Sequence, residues 1–156
     1  MLTPRKILVV EDCGDLLDLL GEALVLLGWE TILAESGREA MNKLGHDVPS
    51  VILMDMPTPV MNGIKLAASL KAHPAYKKIP ILAASASSSG LTRERCLALG
   101  CDDFISKPFA LAELETRLSN LLSAESRKAI RATDPTNWAT NRRHERSRSA
   151  GHRKVA

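Results

Sequence analysis

Three carboxylates, one hydroxyl and one ammonium stand at the ends of apolar runs in this chain. Glu11 and Asp12 close "KILVV", Asp55 closes "SVILM", Ser85 closes "IPILAA", and Lys107 follows "DDFIS" immediately before Pro108. Brought to one point, the carboxylates would raise one another's pKa and destabilise the fold unless a cation joined them. Hard oxygen donors of this kind suit magnesium, which is usually bound by one or two carboxylates together with phosphate oxygens. That combination favours phosphoryl chemistry. A carboxylate serves as the nucleophile and forms an aspartyl phosphate, while Mg2+ and a lysine neutralise charge on the transferring group. No P-loop or other glycine-rich phosphate cradle is present, which disfavours a nucleotide enzyme.

The elements that must carry these residues alternate. "KILVV" is a short run rich in β-branched residues and reads as a buried strand. "GDLLDLLGEALVLLG" places Leu16, Leu19, Leu20, Ala23, Leu24 and Leu27 at helical spacing, with Gly28 at the C-cap position. "WETILA" is a second strand, and "SGREAMNKLG" is a helix opened by the capping-box pair Ser36 and Glu39 and closed by Gly45. "SVILM", "IPILAAS" and "DDFIS" supply three further strands, and "GIKLAASLKAH" and "LTRERCLALG" two further helices. After Pro108, the stripe Leu111, Leu114, Leu118, Leu121 and Leu122 marks a last amphipathic helix.

Strict alternation with short connections predicts an α/β fold, a parallel sheet covered by helices on both faces. Five strand-helix units are too few for an eight-stranded barrel. The expected architecture is a doubly wound, flavodoxin-like three-layer sandwich with strand order 2-1-3-4-5. Its ligand crevice lies at the C-terminal ends of the strands, beside the first and third.

Bulk composition agrees with a single domain and a tail. The chain has 156 residues, and 45% hydrophobic content against 3% aromatic implies an aliphatic core. The first apolar run reaches only four residues before Glu11, too few for a signal or a membrane span, so a soluble cytoplasmic protein is expected. Cys13, Cys96 and Cys101 make an odd number without metal spacing, against both a disulfide framework and a zinc site. The net charge of +3 hides a division. Residues 1–123 carry 12 Lys and Arg against 15 Asp and Glu, whereas residues 124–156 carry 9 against 3.

Taken in order, "ILVVED", "ILMDMPTPVMNG", "PILAASA" and "DDFISKPF" resemble the receiver domain of bacterial two-component response regulators, of the stand-alone, chemotaxis-regulator-like kind. The resemblance covers residues 5 to 122, with Pro59 and Gly63 at the family's distances after Asp55. It implies that Asp55 is the phosphoacceptor. Asp12, Glu11, Asp55 and the backbone carbonyl of Pro57 would hold Mg2+, with Lys107 on a phosphoryl oxygen. Ser85 and Phe104 would be the switch pair. The implied partners are a sensor histidine kinase or phosphotransfer protein and a downstream protein target, with no enzymatic activity beyond self-phosphorylation and self-dephosphorylation. The sequence departs from the family pattern in Pro57, which offers no polar side chain near an attacking water, in Phe104, which has no phenolic hydroxyl, and in Cys13.

Residues outside this set read more plainly. Alone, Asp55 would be a turn residue before prolines; the company of Glu11, Asp12, Ser85 and Lys107 sets that aside. The other serines of "SASSSG" read as a polar loop, Met54, Met56 and Met61 as core, and His46, His73, His144 and His152 as surface. Trp29 opens a strand and Tyr76 sits in a loop. Residues 1–123 are expected to form the receiver and residues 124–156 a basic, disordered tail. Nucleic-acid binding through that tail is open to test but not favoured. A pseudo-receiver that binds partners without taking phosphate is the other alternative.

Overall fold

A computed structural model describes residues 5–56 and 63–133. Five strands and five helices alternate along the chain: β1 (Arg5–Val10), α1 (Gly14–Leu26), β2 (Trp29–Ala34), α2 (Gly37–Leu44), β3 (Val51–Asp55), α3 (Gly63–Ala72), β4 (Ile81–Ala86), α4 (Arg93–Ala98), β5 (Asp103–Lys107) and α5 (Leu111–Thr133). A single 3-10 turn, Ser87–Ser89, lies between β4 and α4. All strand pairs are parallel, in the order 2-1-3-4-5. Contacts divide the chain into two units, Met1–Leu122 and Ser123–Ala156, and the sheet belongs to the first. Within the second unit, Glu125 and Lys128 pair at 3.0 Å along α5.

The two-residue period of the strands builds two separate cores. Leu8, Val10, Ile52, Met54, Ile81 and Ala83 face the side covered by α2, α3 and α4. Ile7, Val9, Val51, Leu53, Leu82 and Ala84 face the side covered by α1 and α5. Double coverage explains why β1 and β3 are continuous apolar runs rather than alternating ones. Each fully buried aliphatic side chain contributes about 1.5–3 kcal/mol. The two cores therefore dictate the register, and the polar residues at the strand ends are carried into place by it.

Helix ends follow local chemistry. Ser36 accepts the Glu39 amide at 3.1 Å, and the Glu39 carboxylate accepts the Glu35 amide at 2.9 Å, one residue upstream of the reciprocal partner expected of a capping box. Gly100 takes φ +100°, and the Cys101 amide reaches back to the Cys96 carbonyl at 3.1 Å, the six-to-one bond of a Schellman end. Gly45, expected as a similar cap, instead sits at φ −67°.

Trp29, read from sequence as a plain strand opener, is buried and ties β2 to α5. Its indole N–H donates to Glu115 at 2.9 Å, and Arg5 lies over its ring at 4.5 Å while pairing with Glu115 at 3.1 Å. His73 is half-buried and stacks on Tyr76, correcting the expectation of a surface histidine. Among the described residues, no helix is long and apolar enough to cross a membrane. Pro57, Pro59, Met61, His144, His152 and the basic segment beyond Thr133 lie outside the described residues.

Candidate functional site

Parallel register brings the strand ends together. Val10 pairs with Met54, Asp55 with Ala84, and Ala86 with Lys107, so the residues that leave β1, β3 and β5 share one rim of the sheet. The Glu11 amide donates to the Ala34 carbonyl at 3.0 Å and the Met56 amide to the Ala84 carbonyl at 2.7 Å, extending the ladder past the last strand residues. Gly63 begins α3 directly against this rim. A Cβ there would lie 2.9 Å from the Asp55 carbonyl oxygen and 2.8 Å from Met56 Cγ, so only glycine permits the approach.

Oxygen atoms of Glu11, Asp12 and Asp55 all lie within 4.8 Å of one another. Lys107 Nζ is 2.6 Å from Asp55 Oδ1 and 3.0 Å from Glu11 Oε2. The Cys13 amide donates to the other Glu11 oxygen at 3.3 Å. Burial pushes the Glu11 carboxyl above its ordinary range and the Asp55 charge adds to that, against the pull of Lys107 and the Cys13 amide. Burial alone would lower the pKa of Lys107, but its bonds to Asp55 and Glu11 prevail and hold it above its ordinary value.

One ammonium against three carboxylates leaves an excess of negative charge in a confined space. The donor set is all oxygen and hard, which fits a divalent cation such as Mg2+. A softer metal would look for sulfur or imidazole, and the nearest thiol, Cys13, is exposed.

Ser85 is fully buried at the end of β4, but its hydroxyl does not reach Asp55. It lies 2.7 Å from Ser89 Oγ and 3.5 Å from the Ala86 carbonyl. The turn serines thus include a partner for Ser85, which corrects their reading as a plain polar loop. Phe104 is half-buried and packs against the core on the α2–α4 side. Its amide donates to the Asp103 side chain at 2.8 Å. Asp103 in turn meets Arg93 of α4 at 2.6 Å and Arg117 of α5 at 3.2 Å, a network not anticipated from sequence. The Lys107–Pro108 peptide is cis. Beside Lys107, an apolar groove of about 520 Å³ runs between α1 and the start of α5, lined by Leu16, Leu19, Leu20, Phe109 and Leu111 among others.

The family model for the response regulator receiver domain matches residues 7–119. The chain belongs to that family. Among its relatives, the transcriptional regulatory protein PrrA of Mycobacterium tuberculosis is 34% identical over 132 residues, covering 85% of this chain and 56% of PrrA. Response regulator MprA of Mycolicibacterium vanbaalenii is 34% identical over 119 residues, covering 76% and 51% respectively. The receiver chain thus spans about half the length of these relatives. Among solved structures, the signal receiver domain of a histidine kinase from Syntrophus aciditrophicus aligns with TM-score 0.70 at 33% identity, covering 77% of this chain and 91% of the other. The chemotaxis response regulator CheY4 of Vibrio cholerae aligns with TM-score 0.69 at 28% identity, covering 76% and 99%. Receiver domains are signalling modules rather than multiple-turnover enzymes, and they generally hold Mg2+ in an acidic pocket. The cluster of Glu11, Asp12 and Asp55 supplies such a pocket here.

Proposed function

We propose that this receiver takes a phosphoryl group on Asp55 from the phosphohistidine of a histidine kinase or phosphotransfer protein, and signals by altering the protein-binding surface formed by α4, β5 and α5. The observation that carries this reading is the Lys107 ammonium 2.6 Å from the Asp55 carboxylate, inside a cluster of three acids. An Asp55 oxygen forms a bond to phosphorus as the bond from phosphorus to the donor imidazole nitrogen breaks. The imidazole keeps that electron pair and takes a proton from solvent. Lys107 follows the charge from the carboxylate onto a phosphoryl oxygen. Glu11 and Asp12, with Asp55 and the Pro57 carbonyl, would hold Mg2+, which when bound neutralises charge on the transferring group. Ser85 then donates its hydroxyl to the phosphoryl group, and Phe104 repacks with it.

Intact-mass analysis after incubation with acetyl phosphate and Mg2+ tests the assignment. One added phosphoryl group is expected, and none in Asp55→Asn. Failure to form the adduct from acetyl phosphate and from a phosphohistidine donor alike refutes it.

A further inference from the structure

The hydroxyl pair at the end of β4 is absorbed neither by the core nor by the acidic cluster. Ser85 is wholly inaccessible, and among the described residues its hydroxyl bonds only to Ser89 Oγ at 2.7 Å and, at the limit of reach, to the Ala86 carbonyl at 3.5 Å. Ser89 ends the 3-10 turn and is exposed. Its oxygen also accepts the Leu91 amide at 3.1 Å. Gly90, at φ +72°, turns the chain between them, and Leu91 packs against the core one residue before Thr92, the N-cap of α4. A continuous hydrogen-bonded path therefore runs from the rim of the sheet through Ser89 to the start of α4.

We infer that Ser89 is a positioning residue that competes with the phosphoryl group for the Ser85 hydroxyl, so that the two states of the receiver differ in which partner Ser85 holds. The inference rests on the phosphoacceptor reading of Asp55. A serine side chain has three staggered positions. The one that sets Oγ 2.7 Å from Ser89 leaves it without a bond to Asp55 or Lys107, so delivering the hydroxyl to a group on Asp55 requires rotation away from Ser89. A buried hydroxyl left without a partner is strongly disfavoured. Ser85 therefore moves from one partner to the other rather than resting between them. Losing Ser85 frees Ser89 and with it the Leu91 amide bond, and this passes the change at Asp55 to the first turn of α4. By linkage, whatever weakens the Ser85–Ser89 bond tightens binding of any group that requires Ser85 to turn.

The probe is beryllofluoride with Mg2+, titrated into the full chain and followed by amide NMR, with Asp55→Asn as the blank. Replacing one hydrogen bond by none predicts that Ser89→Ala binds the probe about five-fold more tightly. Ser89→Thr, which restores the hydroxyl, should return to the original affinity. In a Ser85→Ala background, Ser89→Ala should change nothing further. In the unaltered chain, probe binding should speed hydrogen exchange at the Leu91 amide. Unchanged affinity in Ser89→Ala, an effect that persists without Ser85, or Leu91 exchange indifferent to the probe each overturns the inference while leaving the Asp55 assignment intact. Absence of binding to the unaltered chain, indistinguishable from Asp55→Asn, overturns both.

Discussion

Asp103→Asn isolates the ion-pair network that joins α4, β5 and α5. The Asp103 side chain is 14% exposed and accepts from Arg93 at 2.6 Å, from one Arg117 nitrogen at 3.2 Å to each oxygen, and from the Phe104 amide at 2.8 Å. Asparagine keeps an acceptor for Phe104, so only the two charge pairs are lost. Arg93 is 48% exposed, and its pair is screened to about 0–0.5 kcal/mol. The Arg117 pair, with its guanidinium 31% exposed, should contribute about 1 kcal/mol. The expected loss near neutral pH is therefore about 1–1.5 kcal/mol, a fall in Tm of about 3–6 °C. Burial pushes the Asp103 carboxyl up, but the Phe104 amide and the two guanidiniums overcome it and hold the pKa below its ordinary value of 3.8. A carboxylate depressed in the fold stabilises above its unfolded pKa, and that stabilisation fades as pH falls through the folded value. The gap between Asp103→Asn and the parent should thus be widest near neutral pH and close below about pH 3. Urea unfolding at both ends of that range measures it. A gap of equal size at both pH values, or none at neutrality, would refute the reasoning.

Two further outcomes follow from packing. Burial raises the Cys96 thiol and pushes Cys101 up to about 12, whereas Cys13 is exposed. A thiol-reactive dye at mildly alkaline pH should therefore label one cysteine of three in the folded chain and all of them in urea; rapid native labelling of a second would contradict this. Gly63→Ala forces a methyl against the Asp55 carbonyl oxygen, with a destabilisation of about 1–3 kcal/mol. Because the same contact positions Asp55, labelling by acetyl phosphate should slow by about ten-fold or more. Stability and labelling rate both equal to the parent's would show that α3 does not press on the site.

Strand order and the acidic cluster were legible because both are written in residues with one sensible environment. Four consecutive β-branched or aliphatic residues in β1 and four aliphatic or thioether residues in β3 admit little but a doubly covered strand, and the polar residues that end them must emerge at one rim. Ser89 was not legible. "SASSSG" offers near-equivalent hydroxyls, and only the turn geometry selects the one that meets Ser85. Asp103 and Trp29 escaped for a different reason, since each looks ordinary until partners far along the chain are known; Trp29 and Glu115 stand 86 residues apart. Glycine at a helix end was equally ambiguous. Gly28 and Gly100 take positive φ and Gly45 does not, although all three follow similar helical runs. The helix after Pro108 was anticipated from its leucine stripe, and it is described as far as Thr133, one residue before Asp134 and Pro135.

Lys107 meets Glu11 across 96 residues of chain. A contact of that separation forms only once β5 has docked on the sheet's edge, among the last pairings that loop-closure entropy allows. Until then Glu11, Asp12 and Asp55 have no internal counter-ion, and a nascent or partly opened chain presents a loose group of acids rather than a receptive centre. The ability to take the signal thus depends on completion of the fold. Partial unfolding of β5 alone would leave a receiver that still has a sheet and two cores but is deaf to its donor.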